Sequence, residues 1–514
     1  MCPGETAAFA DVPLVGTEQF RRSVIAAVRR GARLVALFGQ PLTRDATLSP
    51  LDALRPSRVK GQPVASDRLH LYATTADPAA GTISVLATSV ADTYQALTPD
   101  CPAAHWFERE LAETWGIRPE GHPWLKPIRF CAPRRGAAGS QIQPGVTPYF
   151  QVRGSEIHEV AVGPVHAGII EPGHFRFQCH GEHVFHLEIS LGYQHRGVER
   201  ALVGGPDKRT IHYMETLAGD TSVGQAIAYC EGLESLAGCR VPPRALAIRG
   251  IALELERLAN HTGDLGALAN DVGYLPTASF CGRLRGDFLN MTASICGSRF
   301  GRGLVRPGGV GFDLDPPRVL ELLRRLEAAR RDVEIAVDLL WKTPSVLGRF
   351  EHTGTISTED CRELGLVGVV ARACGLERDV RHEFPTGFFR FVQIPVSTAH
   401  AGDVFARAYV RWLEIQRSLA FVHEQLRALP QGPVRVEMNA LAPNAIAVSL
   451  TEGWRGEICH VAVTDDAGRF AGYKIVDPSF HNWFGLAMAL RDQQISDFPL
   501  CNKSFNLSYC GHDL

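Results

Sequence analysis

Apolar residues recur along the chain with two different periods, and the period predicts where helices and strands lie. Spacings of three and four predict helices over Thr17 to Arg33, Pro317 to Lys342 and Gly402 to Leu429. Alternating or continuous apolar runs predict strands at Leu34–Gly39, His70–Ala73, Ile83–Ala87, Val434–Met438, Ala445–Leu450 and Ile458–Val463. Long helices mixed with short strands are typical of an α+β protein.

Two further helices have faces of different character. In residues 105–117, Phe107, Leu111 and Trp115 are spaced by four, so one face is apolar and the other acidic, and Gly116 ends the helix. Pro242-Pro243 opens the second helix. Its apolar stripe consists of Ala245, Ile248, Ala252, Leu255 and Ala259.

A second line on this later helix is polar: Glu254, Arg257, His261 and Asp264. Two interpretations are open. The line is either a solvated face with ion pairs at spacings of three and four, or a buried polar line between packed helices. In the helix predicted over Gly402 to Leu429, we expect the buried face to consist of Phe405, Tyr409, Trp412, Leu419, Val422 and Leu426.

These elements divide the chain into three segments. We predict an α+β domain over residues 1–130, a linker over 131–150 that is rich in glycine, proline and small residues, and a second domain over 151–514. The second domain is mainly α, a helix bundle flanked by small antiparallel sheets.

Ionisable residues concentrate in a glycine-rich stretch, residues 163–177, which holds His166, Glu171 and His174. A second polar cluster, residues 194–200, follows it. The residues between them read as two strands joined at His180-Gly181-Glu182, and this hairpin would bring the two polar segments close together. Such loops often carry redox or proton-transfer sites, but a surface turn with satisfied histidines has the same pattern.

Composition narrows the class of protein. The chain has 514 residues, 45% hydrophobic and 21% charged, with a net charge of −2. The chain has no excess of basic residues that would suggest nucleic-acid binding. No apolar run is long enough to span a membrane, and the first residues lack the features of a signal peptide, so we expect a cytoplasmic location.

The thirteen cysteines contain no Cys-x-x-Cys pair, which most zinc and Fe–S sites use. We therefore expect mostly buried, reduced thiols. Signatures of Rossmann dinucleotide sites, P-loops and nucleophile elbows are also missing. Residues 301–311 are glycine-rich and basic, which suits either an anion cradle or a mobile connector between helices.

Several motifs in order carry a specific resemblance. They are Gly163-Pro164-Val165-His166, Glu171-Pro172-Gly173-His174-Phe175-Arg176, His195-Arg196-Gly197-Val198-Glu199, Val241-Pro242-Pro243-Arg244-Ala245 and Glu256-Arg257-Leu258-Ala259-Asn260-His261. They closely resemble the large subunit of membrane-bound group 4 nickel–iron hydrogenases and the related 49-kDa subunit of complex I. Upstream, Trp106-Phe107-Glu108-Arg109-Glu110 and Glu120-Gly121-His122-Pro123-Trp124-Leu125 resemble the 30-kDa subunit of complex I. Formate-hydrogenlyase-type enzymes fuse the two in this order, and the resemblance covers roughly residues 60 to 514.

The resemblance implies a hydrogenase-like or NADH:quinone oxidoreductase-like subunit that is active only within a complex. Its implied partners are a small Fe–S subunit and antiporter-like membrane subunits, through which it would associate peripherally with the cytoplasmic side of a membrane. The Fe–S cluster would belong to the partner, and quinone is an acceptor that the resemblance suggests.

The chain departs from the hydrogenase pattern where metal is held. The family uses two Cys-x-x-Cys pairs, and an ungapped count from Val241 places the first pair on Ala218 to Thr221. The second pair would fall near Ser508 and Cys510, where Cys501 and Cys510 are nine residues apart. Nickel and iron in this family need soft thiolate donors. We therefore expect no metal and no other cofactor bound by this chain itself, with vacated ligand positions near Ala218, Thr221, Ser508 and Cys510.

The complex I pattern is also incomplete. His166 matches the histidine of that family's quinone site, but the tyrosine position falls near Gly219, and the nearest tyrosines are Tyr213 and Tyr229. By resemblance, Glu171 is the proton-transferring carboxylate and Arg196 lies near the partner's cluster. We expect His166, Glu171 and His174 to be catalytic. We expect the acceptor cavity or the partner's cluster to be faced by His195, Arg196, Glu199, Asp220, Glu254 and His261.

Three functions remain open at this point. The chain is a subunit that couples electron transfer to proton or ion movement without a nickel–iron centre, a scaffold without redox chemistry of its own, or an active nickel–iron hydrogenase with unusual ligands.

Overall fold

The computed structural model of the chain describes residue 1 and residues 4–41, 69–135 and 145–514. The first residues of the 30-kDa resemblance, near residue 60, and the middle of the linker, residues 136–144, lie outside the described residues. The domain boundaries at residues 130 and 150 therefore stay a prediction.

The first part of the chain is a four-stranded sheet covered by helices. Its elements in chain order are β1 (Thr6–Ala8), β2 (Leu14–Val15), α1 (Thr17–Arg29), β3 (Arg33–Pro41), β4 (Leu69–Asp77), β5 (Thr82–Val90), β6 (Thr93–Gln95), α2 (His105–Trp115) and β7 (Arg118–Glu120). The sheet order is β2-β5-β4-β3, and β4 and β5 form the expected antiparallel hairpin. α1 buries Phe20, Val24 and Ile25, which lie on one helical face.

Helix α2 ends at Gly116, as expected, but its acidic face is not a solvated one. Glu108 is fully buried and accepts hydrogen bonds from the backbone N–H groups of Leu97 and Thr98 at 2.8 and 2.9 Å. Glu110 pairs with Arg129 and with Lys474. The carboxylates on this face hold the segments packed around the helix, which periodicity alone does not show.

The middle of the chain is a three-stranded antiparallel sheet followed by short helices. Its elements are β8 (Ile157–Val162), β9 (His174–His180), β10 (His183–Ser190), α3 (Val198–Leu202), α4 (Thr210–Met214) and α5 (Ser222–Leu236). The hairpin between β9 and β10 is confirmed, with Gly181 in the left-handed region at its tip.

Long helices form the core of the second part. The elements are α6 (Pro243–Asp271), α7 (Leu275–Cys296), β11 (Val305–Arg306), β12 (Gly309–Val310), α8 (Pro316–Trp341), α9 (Pro344–Phe350), α10 (Thr358–Glu363), α11 (Gly368–Ala373), α12 (Val380–Glu383) and α13 (Val404–Arg427). The apolar stripe of α6 is buried throughout, as predicted. On α13 the prediction is wrong for Tyr409, which is 37% exposed.

The glycine-rich segment 301–311 is a small hairpin, β11–β12, so the mobile connector is wrong. Carboxylates of the chain itself occupy its N–H groups: Gly303 donates to Glu215 at 2.6 Å and Gly308 to Glu234 at 2.8 Å. Val434 and Val436 bond the hairpin through their backbones. The strand predicted at Val434–Met438 is wrong, since only Arg435 forms a bridge, with Gly309.

The last elements complete the core. They are β13 (Ala445–Glu452), β14 (Glu457–Thr464), β15 (Phe470–Val476), α14 (Pro478–Ala489), α15 (Phe498–Phe505) and α16 (Tyr509–His512). β1 extends this sheet by pairing with β13, so the order is β1-β13-β14-β15. One apolar cluster therefore runs from the first sheet through β9 and β10 to β14 and α14. No helix in the described part of the chain is long and apolar enough to cross a membrane.

Candidate functional site

The final turn, residues 506–513, lies inside the protein and is contacted from four separate parts of the chain. Tyr509, Gly511, His512 and Asp513 are buried. Asp513 accepts hydrogen bonds from the backbone N–H groups of Gly192 and Gln194. The strands and helices thus bring the two polar segments of the sequence to one place, with the final turn between them.

Glu171 reaches this turn from the glycine-rich loop. Its Oε2 accepts the backbone N–H of Tyr509 at 3.1 Å. The Cys510 thiol also hydrogen bonds to the Glu171 carboxylate. Glu171 therefore pairs with the final turn and not with the loop histidines.

The two histidines of the loop are bonded to the loop itself. His166 Nε2 lies 2.9 Å from the carbonyl oxygen of Gly173, and His174 Nδ1 lies 3.2 Å from that of Gly163. Arg176 Nε donates to His174 Nε2 at 3.1 Å, and burial lowers the pKa of His174. These contacts hold the loop in shape and keep His174 neutral.

Arg196 bridges the final turn to the turn before α5. Its guanidinium donates to the carbonyl oxygens of Thr216 and Leu217, both at 2.9 Å, and to that of Cys510 at 3.2 Å. Arg196 is exposed, so positive charge reaches the surface here. His195, whose pKa burial lowers, contacts the Asp513 carbonyl.

Glu199 points away from Arg196. Its Oε1 accepts from Lys474 Nζ and from the backbone N–H of Ile475, both at 3.0 Å. It therefore belongs to the interior ion pairs around Glu110, Arg129 and Lys474, and it does not share a face with Arg196.

An ion pair between Asp220 and Arg455 closes the site on the other side. Arg455 donates to the two Asp220 oxygens at 2.6 and 2.8 Å, and its Nε donates to the carbonyl of Asn506. Trp454 Nε1 donates to the Asp220 carbonyl at 3.0 Å. Asp220 is thus tied to the final turn by an arginine.

The two stretches where the resemblance leads us to expect metal ligands, near Ala218 and Thr221 and near Ser508 and Cys510, lie on two turns joined by Arg196 and Arg455. They offer one thiol, on Cys510, the hydroxyls of Thr221 and Ser508, and the methyl of Ala218. Burial, together with Glu171, raises the pKa of Cys510 to about 12, so this thiol keeps its proton at neutral pH. Cys501 is fully buried on α15 beside Arg407, and burial raises its pKa to about 12.

Across the described residues, no group of three or more His, Cys, Asp or Glu side chains is arranged to hold a metal ion. The two tyrosines nearest to the position that the complex I resemblance implies lie elsewhere than beside His166. Tyr213 is 39% exposed on α4, and Tyr229 is packed in the core of α5 beside Tyr473.

The polar line of α6 is buried, so the interpretation as a solvated face is wrong. Glu254, Arg257 and His261 are fully buried, and Asp264 is 4% exposed. Asp264 pairs with Arg411 at 2.7 Å and accepts from Asn506 at 2.5 Å, which ties α6 to the final turn. Glu254 and His261 lie in a separate ion cluster, described below.

A further carboxylate on α6 caps the helix that starts at the site. Glu256 accepts the N–H groups of Val223 and Gly224 at 2.7 and 3.1 Å, at the positive end of α5. Burial raises the pKa of Glu256 to about 8.

Sequence reasoning missed Trp454, Arg455 and Glu256 as site residues. The first two lie in Gly453-Trp454-Arg455-Gly456, the connection between β13 and β14. A tryptophan and an arginine between two glycines in a strand connection were the available signal. Glu256 stood within a recognised motif, but its direction on the helix depends on packing.

Comparisons with known proteins show which family the chain belongs to. The carbon monoxide-induced hydrogenase of Rhodospirillum rubrum is 32% identical over 352 residues, 68% of this chain and 97% of the hydrogenase. The chain belongs to the family of large subunits that membrane-bound hydrogenases share with complex I. Formate hydrogenlyase subunit 5 of Escherichia coli is 29% identical over 81% of this chain and 76% of its own length.

Complex I proteins are also similar to this chain. NADH-quinone oxidoreductase subunit 4 of Thermus thermophilus is 29% identical over 67% of this chain and 90% of its own length. The family model for the respiratory-chain NADH dehydrogenase 49 Kd subunit matches residues 271–445, and the one for the 30 Kd subunit matches residues 57–134. The chain is therefore a fused 30-kDa and 49-kDa type of subunit. Its relatives are oxidoreductase subunits of multi-subunit complexes.

Proposed function

We propose that this family member is an oxidoreductase subunit that carries no nickel–iron centre. It receives electrons from the Fe–S cluster of a small neighbouring subunit and serves an organic acceptor, with a quinone as the first candidate. The observation that carries the proposal is the donor set at the joined turns: one thiol, on Cys510, where the family's hydrogenases need four thiolates. That set does not fit nickel and iron.

Each side chain has a role in this proposal. Arg196, exposed beside the carbonyls of the two turns, puts positive charge at the surface where the partner's cluster would dock and so favours its reduced form. Glu171 holds or releases a proton at the carboxyl oxygen that the Tyr509 N–H leaves free. Arg455 and Asp220 keep the two turns together. Antiporter-like membrane subunits would use the coupled proton or ion movement, and the chain would attach to the membrane through them.

Replacement of Glu171 tests the proton role. Glu171→Gln keeps an oxygen that accepts the Tyr509 N–H, so the fold should be retained while proton transfer is lost. In the complex purified from membranes, we expect acceptor reduction and ion movement to fall by about 10² or more. Glu182→Gln, an exposed acid at the β9–β10 hairpin tip, is the matched control. Unchanged turnover and ion movement in Glu171→Gln would contradict the role.

Metal analysis of the same preparation tests the missing centre. We expect iron from the partner's clusters and no stoichiometric nickel. About one nickel per chain together with hydrogen evolution would instead identify an active hydrogenase with unusual ligands.

A scaffold without redox chemistry is the second candidate, and one observation favours it. His166 and His174 bond to their own loop, and Glu171 accepts a backbone N–H, so these contacts also serve structure alone. No acceptor reduction by the complex, with its Fe–S clusters intact, would support the scaffold.

A further inference from the structure

Eight ionisable side chains form a continuous cluster between α6, α11, α12, α13 and the end of β13. Every member is at most 5% exposed. The members are Arg257, Arg372, Arg381, Glu254, Asp379, Glu414, Glu452 and His261.

Short contacts join the members. Arg381 donates to Glu254 at 3.0 Å and to Asp379 at 2.6 Å. Arg257 donates to Glu254 at 3.1 Å and to Glu414 at 3.2 Å. Arg372 donates to Glu414 at 2.8 Å and to Glu452 at 2.7 Å, and His261 Nε2 lies 2.8 Å from Glu414.

The formal charges of this cluster do not cancel. Three arginines face four carboxylates, so with a neutral imidazole the cluster carries one net negative charge. Arg411 and Asp264, which lie on the same helices as cluster members, pair with each other at 2.7 Å, and Arg249 pairs with Glu234 at 2.6 Å. A net charge in a dry interior is strongly unfavourable, and binding one proton removes it.

We propose that this cluster is a proton store that holds one exchangeable proton on Glu452. His261 is the other candidate carrier, but its Nδ1 is buried without a hydrogen-bond partner. A protonated imidazole would leave that N–H unsatisfied, which costs free energy. Of the four carboxylates, Glu452 accepts the fewest hydrogen bonds, from Arg372 at 2.7 Å and from the backbone N–H of Val380 at 3.1 Å. Each of the other three accepts three hydrogen bonds. Burial also raises the pKa of the Glu452 carboxyl to about 7.

A narrow cavity lies against Glu452. It is lined by Glu231, Arg381, Thr386, Phe388, Thr451 and Glu452. Two polar atoms of the lining residues, Glu231 Oε2 and Thr451 Oγ1, are buried and have no hydrogen-bond partner among the described residues, while the Glu231 carboxylate also hydrogen bonds to Thr386. Glu231 faces Arg249 and Glu234, which pair with each other, and burial raises its pKa to about 7. Glu231 and Thr451 thus form the relay by which the proton on Glu452 exchanges with solvent.

The store is joined to the candidate site by the β13–β14 connection. Arg257 donates to the carbonyls of Glu452 and Gly453 at 2.8 and 3.2 Å, and Arg455 follows two residues later with its bonds to Asp220 and Asn506. A change of charge at the site therefore acts on the stored proton. This use rests on the proposed function, whereas the store itself does not.

Infrared spectroscopy of the full chain at controlled pH reads the store directly, without turnover. At pH near 7 we expect a protonated-carboxyl C=O band that Glu452→Gln removes and that wild type loses as the pH rises toward about 9. Glu254→Gln should remove the same band, because it neutralises the cluster and leaves Glu452 ionised. Glu377→Gln, an exposed acid, is the control and should change nothing.

Exchange into deuterated water tests the relay. The shift of the Glu452 band should be slowed at least ten-fold in Glu231→Gln and be unchanged in Glu377→Gln. A folded Glu254→Gln variant that retains the band, or wild type without a protonated carboxyl assignable to Glu452 at neutral pH, overturns the store. Equal exchange rates overturn the relay. Failure of Glu171→Gln to affect turnover would leave these results untouched, so the two proposals fail separately.

Discussion

At the scale of single residues, arginines determine how the candidate site is assembled. Arg196 and Arg455 each donate to both turns, and a planar group with several fixed donors suits such bridging. The histidines that dominate the sequence pattern are instead committed to loop carbonyls. Motif spacing identified Arg196 through the resemblance but gave no hint of Arg455, because its partners are 235 and 51 residues away.

Cys510 gives a prediction at this scale. Because its thiol is a protonated donor to Glu171, Cys510→Ser preserves a donor of similar size. We expect acceptor reduction by the complex to change less than about two-fold, and its metal content to stay the same. Cys510→Ala, which removes the donor, is the companion variant. Loss of metal or of all activity in Cys510→Ser would show that the thiolate is a ligand.

At the scale of elements, carboxylates fix segments whose composition suggests mobility. The β11–β12 hairpin is rich in glycine, yet Glu215 and Glu234 bind its N–H groups, and Arg249 pairs with Glu234 and reaches the Gly309 carbonyl at 3.0 Å. Glycine is needed at position 309 for a definite reason. Its φ is 153°, and a Cβ there would lie 2.1 Å from the carbonyl oxygen of Val434.

Gly309→Ala should therefore be strongly destabilising, since backbone on both sides cannot move apart cheaply. We expect the free energy of unfolding to fall by roughly 3 kcal/mol, measured by urea denaturation. Gly282→Ala is the matched control. Gly282 is an exposed helical glycine in α7 with open space around its Cα, and alanine there should stabilise by about 0.5–1 kcal/mol. If Gly309→Ala leaves the free energy of unfolding unchanged, the β11–β12 hairpin can move to make room for the added methyl group, and the prediction is wrong.

At the scale of the whole molecule, burial shifts the pKa values of interior histidines and carboxyls in opposite directions. His460 lies between Tyr473 Oη and Gln225 Oε1, both at 2.9 Å, and burial lowers its pKa to about 3. Burial lowers the pKa of His481 to about 4. Burial also raises the pKa of several carboxyls, among them Glu231 and Glu452 to about 7 and Glu256 to about 8.

These shifts predict how stability depends on pH. The unfolded chain binds protons on its histidines below about pH 6.5 while the buried histidines stay neutral, so the folded state loses stability as the pH falls toward their folded pKa values, by roughly 5 kcal/mol for His460 and roughly 3 kcal/mol for His481. The carboxyls act oppositely, because they hold protons in the folded state and lose that stabilisation as the pH rises through their folded pKa values. Among the described residues, burial lowers the pKa of nine histidines and raises the pKa of seven carboxyls, so the histidines dominate below pH 6.5. Urea unfolding should therefore show maximal stability near pH 6–7. His460→Gln should flatten the acid side, whereas the exposed His158→Gln should not.

The sequence by itself determined five of the longer helices, α1, α2, α6, α8 and α13, and the β9–β10 hairpin, because periodicity and turn residues act locally. It also determined five strands of the two main sheets, β3, β4, β5, β13 and β14, but not β1, β2 or β15. It also determined the family, since its motifs survive in order. It could not decide whether the polar line of α6 was solvent-exposed or buried, because a charged stripe at helical spacing has the same pattern in both cases. The partners that make burial tolerable, Arg372, Arg381, Glu414 and Glu452, come from other elements.

Only the tertiary structure decided how the site is built. It placed Glu171 on the final turn instead of beside His166, turned Glu199 toward Lys474, and paired Asp220 with Arg455. It also joined β1 to β13 across the predicted domain boundary. Each of these contacts links residues far apart in the chain, and their geometry depends on the packing of whole helices and sheets.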